Sequence, residues 1–390
     1  MRASLRTTVA AALVLGLAAG GALAAPAFAD GRPAAAVTAE RETAERGPDV
    51  AALEKALEGL PDRQATAALV RVGGDGRDWQ GVAGVSNLRT GAPARDDVRF
   101  RAGSTTKVVT AALTLKLVAD GSLDLDGTVQ EYLPGLLPSP KFQPITVRQL
   151  LNYTSGLDAG SSLGETDEEL YENRFETLTP QEVVAASAAK GPLHKPGEYQ
   201  RYSNIHYTVL GLIIEKVTGD SYARQAAQRI FKPLGMRDSY FPGSDPRIRG
   251  PHHRGYQEMD GKLVDVTEWN VTDRFAAGDL ISSTRDLERF LTSLFRGRVV
   301  PEPQLKEMFT LPGVDDIETG KAATMAAGLE TFTINGKEVW GKTGARPGFH
   351  TVIAATPDLS RTVVYSVNAT AAHQDGLALG TRFAFPAFNQ

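Results

Sequence analysis

The 390-residue sequence contains no cysteine and only six histidines. The first absence excludes disulfides, a thiol nucleophile, a thiolate metal centre and a lipidated cysteine. The histidines are His194, His206, His252, His253, His350 and His373. None lies in an H-E-x-x-H spacing and only His252-His253 are close, so no metal ion and no cofactor are expected. Basic residues are slightly outnumbered, 42 to 46, for a net charge of −4. That balance gives no footprint for nucleic acid as a partner. With 42% hydrophobic and 23% charged residues, the chain can fill one or two cores without disulfides.

Long apolar runs are scarce beyond the N-terminus. Arg2 and Arg6 precede an apolar run over 9–25 that ends in Ala27-Phe28-Ala29, a small-x-small cleavage pattern. Residues 1–29 are therefore expected to be a secretory signal peptide, cut near Ala29-Asp30. The product would be secreted, with no stable membrane anchor. The two arginines are not adjacent, so nothing indicates the twin-arginine route. Losing two basic and no acidic residues takes the charge from −4 to −6. Residues 30–47 read as a flexible linker or short pro-segment.

In the rest, 48–390, the spacing of Val50, Leu53, Leu57 and Leu60 predicts a helix over 49–59. Strands over 65–72 and 79–85 flank Gly73-Gly74-Asp75-Gly76. An apolar helix over 104–119 stops at Asp120-Gly121. Residues 125–275 are rich in Pro, Gly and polar loops, with helical stretches at 147–152, 180–190, 204–218 and 222–230. They predict a mainly helical subdomain. After a helix over 284–295, strands at 328–334 and 338–342 flank Asn335-Gly336, a type I′ hairpin signal. Strands at 350–356 and 362–368 and a closing helix at 376–385 follow. This pattern predicts an α+β (mixed α/β) fold. One antiparallel sheet is built from N- and C-terminal segments and flanked by helices, beside the helical subdomain.

The chemistry concentrates in three motifs. Arg101-Ala102-Gly103-Ser104-Thr105-Thr106-Lys107 places a lysine one helical turn after a serine. Residues three apart share a helix face, so the ammonium can reach a hydroxyl that is a weak nucleophile without a base. The helix behind it is apolar nearly all round, and a polar pair at the head of a buried helix needs a purpose. Tyr202-Ser203-Asn204 enters a predicted helix, and Lys342-Thr343-Gly344 lies on or just after a predicted strand, before Ala345-Arg346-Pro347-Gly348. Decoys exist for each motif. Ser187-Ala188-Ala189-Lys190 sits at a helix end, Tyr171-Glu172-Asn173 in a loop-like acidic stretch, and Arg89-Thr90-Gly91 in a turn. Gly160-Ser161-Ser162-Leu163-Gly164 matches the G-x-S-x-G elbow of α/β-hydrolases but lacks the strand–turn–helix context that elbow needs.

The ordered set S-x-x-K, Y-x-N and K-T-G resembles the serine penicillin-recognising enzymes, which include penicillin-binding proteins and β-lactamases. The Y-x-N form is similar to the branch of D-alanyl-D-alanine carboxypeptidases, class C β-lactamases and related esterases. Leu123-Asp124-Leu125-Asp126, residues 145–157 and residues 280–287 add to the resemblance, which covers about residues 60 to 370.

The resemblance implies that residues 48–390 form a serine hydrolase catalytic domain of β-lactamase/transpeptidase type. Ser104 would be the acylated nucleophile, with Lys107 and Tyr202 sharing the general-base role. Lys342 would join Lys107 in favouring the Tyr202 phenolate. Asn204 would hold a substrate carbonyl or hold Lys107. Thr343, Gly344 and Ala345 would run beside the substrate, and the N–H groups of Ser104 and Ala345 would form the oxyanion hole.

Two departures bear on the substrate. Ala345 replaces a frequent hydroxyl residue, and Gly328-Leu329-Glu330 offers a carboxylate where an arginine is often found. Arg346 is then the candidate clamp for a substrate carboxylate, or else a solvated loop residue. The expected activity is that of a secreted D-alanyl-D-alanine carboxypeptidase acting on small peptides or β-lactams. The alternatives are a class C-like β-lactamase, a related esterase or amidase, and a non-enzymatic penicillin-binding sensor.

Overall fold

The computed structural model describes residues 47–75, 78–138, 140–371 and 376–389. The signal-peptide reading of residues 1–29 and the linker reading up to residue 46 fall outside them. So do Gly76 of the first turn and His373.

A seven-stranded antiparallel sheet organises the molecule. The N-terminal part supplies β1 (Ala65–Gly73), β2 (Trp79–Asn87) and β3 (Ala92–Pro93). The C-terminal part supplies β4 (Glu330–Ile334), β5 (Lys337–Arg346), β6 (Phe349–Ala355) and β7 (Thr362–Ala369). The spatial order is β3-β2-β1-β7-β6-β5-β4. The two ends of the chain meet where β1 pairs with β7, with Val70 opposite Tyr365. Every residue of β6 and β7 is buried, which explains their near-continuous apolar character rather than a strict alternation.

The main helices are α1 (Val50–Leu57), α2 (Thr106–Ala119), α3 (Ile205–Thr218), α4 (Thr284–Phe295) and α5 (Gly376–Phe388). Helices α1 and α5 cover one face of the sheet, where Leu53, Leu379, Phe383 and Phe388 pack with Val70 and Tyr365. The other face belongs to a larger core that joins Ile353 and Val364 to Val108, Leu113, Leu210, Ile213 and Phe290. Helix α4 shows why. Leu287, Phe290, Leu291 and Leu294 recur at helical spacing and are all buried, while Ser283 caps the helix through the Asp286 N–H.

The sheet and the terminal helices match the sequence expectation. Four local features differ. Ser104 lies in a 3₁₀ turn, Gly103–Thr105, and α2 starts two residues later at Thr106. Strand β5 runs on to Arg346, so Lys342-Thr343-Gly344 is inside the strand rather than at its end. Tyr171-Glu172 belongs to a short helix, Asp167–Glu172, because Thr166 and Glu169 form a capping box around its start. The helical middle also contains a hairpin, Tyr256–Met259 with Lys262–Asp265. Its Asp260-Gly261 turn has φ of 48° and 70°, the left-handed pair that a tight hairpin needs.

Candidate active site

Ser104 is positioned by close backbone approach. Gly103 has φ +53°, and a Cβ there would stand 2.6 Å from the Ala345 nitrogen. A Cβ on Gly344 would stand 2.1 Å from the Ala102 carbonyl and 3.0 Å from the Ser104 nitrogen. Glycine on both sides therefore lets β5 touch the serine turn. Thr351 of β6 closes the contact by donating its hydroxyl to the Ala102 carbonyl at 2.7 Å. Thr106 ties the turn to the other wall, donating to the Gly103 carbonyl and accepting from the Leu280 N–H.

Lys107 is fully buried one turn along. Its Nζ donates to Ser104 Oγ at 3.0 Å, Asn204 Oδ1 at 2.6 Å and the Ala277 carbonyl at 2.7 Å. Three acceptors match the three donors of an ammonium. Burial brings the Lys107 ammonium down to about 8, against the opposing pull of Tyr202. Asn204 occupies the N-cap position of α3, yet its side chain makes no capping bond. A residue type suited to capping is given to Lys107 instead, and Ser203 does not cap the helix either.

Tyr202 donates its hydroxyl to Ser104 Oγ at 2.7 Å. Burial acts to raise the phenol, but Lys107, Lys342 and the hydrogen bond to Ser104 outweigh it and bring it down to about 8. The ring lies 4.7 Å from Lys342 Nζ and 5.0 Å from Lys107 Nζ. The 150s loop fixes it from behind. Arg201 N–H donates to the Tyr153 carbonyl, and the two tyrosine rings sit 5.2 Å apart. Tyr153 itself holds φ +63°, a strained value for a bulky residue.

Lys342 is buried on β5, with Nζ 3.9 Å from Glu330 Oε2. Pairing of β4 with β5 ends at Glu330 opposite Gly341. The turns at 335–336 and 347–348 fix the alternation on both sides of β5. Gly341 bonds toward β4, whereas Lys342, Gly344 and Arg346 bond toward β6. Thr343 and Ala345 consequently present N–H and C=O groups at an unpaired strand edge. Ala345 N–H is thereby available beside Ser104 N–H for an oxyanion.

Arg346 needs correction. It neither lies in a solvated loop nor stands free as a carboxylate clamp. Alternation along β5 puts its side chain on the face of Lys342 and Gly344, where it is 5% exposed. Its Nη2 lies 3.6 Å from Asp273 Oδ1, and Asp273 also pairs with Arg274. Burial pushes the guanidinium down and Asp273 opposes that push. Asp273 was not visible as a partner in the sequence, since it reaches Arg346 through the 3₁₀ turn Thr272–Arg274. Glu330, by contrast, was flagged by its place in Gly328-Leu329-Glu330 and proves to face Lys342.

The decoys are elsewhere. Ser187 and Lys190 donate to the carbonyls of Asp158 and Ala159. Ser162 lies in irregular chain before the Asp167–Glu172 helix, with no strand leading into it. The structure thus gathers Ser104, Lys107, Tyr202, Asn204, Lys342, Gly344 and Ala345 into one site, with Thr343 at its edge.

Comparison with known proteins is consistent with that geometry. The family model described as Beta-lactamase matches residues 50–383. A D-stereospecific amidohydrolase from Streptomyces sp. superposes with TM-score 0.74 at 33% identity, covering 86% of this chain and 99% of that one. D-amino acid amidase from Ochrobactrum anthropi SV3 gives TM-score 0.72 at 26% identity, covering 86% and 97%. Protein flp of Staphylococcus aureus (strain MW2) is 32% identical over 202 residues, 51% of this chain. That match spans only 39% of the flp protein.

Proposed function

The chain belongs to the beta-lactamase family, and from that premise we propose that it is an amidohydrolase that cleaves amide bonds after D-configured residues through an acyl-enzyme on Ser104. The observation that carries the reading is Ser104 Oγ held at once by Tyr202 and Lys107, with Tyr202 brought down to about 8. A phenolate at that position takes the Ser104 proton as Oγ attacks the carbonyl. The carbonyl oxygen gathers charge between the N–H groups of Ser104 and Ala345. The C–N bond then breaks, the proton passes from Tyr202 to the departing amine, and Ser104 carries the acyl group. Water attacks the ester, gives its proton to the same base, and releases the acid as the Ser104 hydroxyl is restored.

The likeness to the Streptomyces and Ochrobactrum enzymes supports the amide bond and the D configuration. The 1–29 segment supports export. Hydrolysis of D- against L-phenylalanine amide tests the reading. Release of ammonia from the D-amide alone supports it, whereas equal rates or L preference contradict it. Release of D-alanine from acyl-D-Ala-D-Ala is the second reading. It is favoured by the unpaired edge at Thr343 and Ala345, which suits an extended peptide added as a further strand.

A further inference from the structure

Glu330 has no part in the steps above, yet it stands next to the reacting groups. It opens β4 at the last paired position, opposite Gly341, and its carboxylate lies 3.9 Å from the ammonium of Lys342, the next residue along β5. Its side chain is 11% exposed. Its carboxylate also accepts a long hydrogen bond from the Thr324 hydroxyl, 3.4 Å to Oε1. Burial raises its carboxyl and the Lys342 ammonium opposes the rise. A hidden carboxylate this thinly hydrogen-bonded adds little stability, because desolvation offsets most of the attraction in such pairs. Its effect is on charge. Lys342 faces Tyr202 on one side and Glu330 on the other. The second buried cation on β5, Arg346, faces Asp273. Both buried cations on the substrate-side strand are therefore met by a carboxylate.

We propose that Glu330 determines leaving-group specificity, compensating Lys342 so that the site accepts uncharged leaving groups and rejects those bearing a carboxylate. The inference rests on the amidohydrolase reading and names its substrate class: primary amides and peptide amides rather than peptides with a free C-terminus. A second carboxylate brought to Lys342 meets like charge at a few ångströms, where repulsion near a protein surface amounts to about 10-fold to 10²-fold in affinity.

The test uses two peptides identical except at the C-terminus, acetyl-D-Ala-D-alaninamide and acetyl-D-Ala-D-Ala. Wild type is expected to favour the amide in kcat/KM by about 10-fold or more. Glu330→Gln should shrink that preference by about 10-fold to 10²-fold, mainly through a lower KM for the free acid. Glu330→Asp should keep it. A wild type that prefers the free acid overturns the proposal without any variant. An active Glu330→Gln with an unchanged ratio overturns it alone. Turnover of neither peptide by a wild type that hydrolyses D-phenylalanine amide overturns this inference alone, whereas inactivity on that amide as well removes the amidohydrolase reading with it.

Discussion

Lys107 Nζ and Asn204 Oδ1 are 2.6 Å apart, although 97 residues separate them in the chain. This contact fixes the lysine beside Ser104 and withdraws Asn204 from capping its own helix. Replacing Asn204 by Asp puts a carboxylate where a neutral oxygen stood. The new negative charge offsets the Lys107 ammonium that favours the Tyr202 phenolate, so Tyr202 should hold its proton to higher pH, and the acid limb of kcat/KM should move up by about 1 unit or more. Asn204→Ala should lower kcat without that displacement. A pH–rate profile of both variants separates the two effects.

The wild-type profile follows from the same groups. Tyr202 and Lys107 both stand at about 8. The acylating state requires a base without its proton, so activity is low below that value and rises as pH increases through about 8. A limb near 10, the ordinary value for tyrosine, would contradict the electrostatic effect assigned to Lys107 and Lys342. Tyr202→Phe should remove the limb and cost about 10²–10⁴ in kcat.

Gly344 offers a steric test. A methyl group there would meet the Ala102 carbonyl at 2.1 Å, so Gly344→Ala must push β5 away from the serine turn. The oxyanion donors separate, and kcat should fall by about 10²-fold or more while the circular dichroism spectrum stays that of the folded protein. Full activity in a folded Gly344→Ala would mean that Ala345 N–H is not used.

Arg346 separates a structural role from substrate binding. Removing one partner of a buried ion pair costs about 3–5 kcal/mol where the other charge is left uncompensated, and less here, because Asp273 keeps Arg274. Arg346→Ala should therefore lower stability to urea while leaving KM unchanged, and adding Asp273→Asn, which strips Arg274 of its partner as well, should lower it further. A raised KM at unchanged stability would restore the carboxylate-clamp reading.

The parts of this molecule legible in the sequence are those set by short-range periodicity. Ser104 and Lys107 meet because they are one turn apart. The Asn335-Gly336 turn fixes the β4–β5 register and places Glu330 opposite Gly341, but the reach of its carboxylate to Lys342, the next residue along, is not given by that register. The Asp260-Gly261 hairpin carried the same kind of signal but lay among prolines and loops that masked it. Asp273 was illegible for a different reason. Nothing local marks it as the counter-charge of Arg346, since only the folded path of residues 272–279 beneath the serine turn brings the two together. Asn204, a residue type suited to capping, stands at the head of its helix without capping it, because Lys107, a residue from another helix, claims its side chain.

Covalent capture at Ser104 tests the account most directly. A penicillin whose carboxylate is masked as an ester suits the purpose, because opening its ring leaves the departing nitrogen tethered and the whole reagent attached, with no charge for Glu330 to repel. Intact mass spectrometry should show one adduct on the wild type, carried by the peptide containing Ser104, and none on Ser104→Ala. An unmodified wild type, or an adduct that survives Ser104→Ala, would contradict the assignment of Ser104 as the nucleophile.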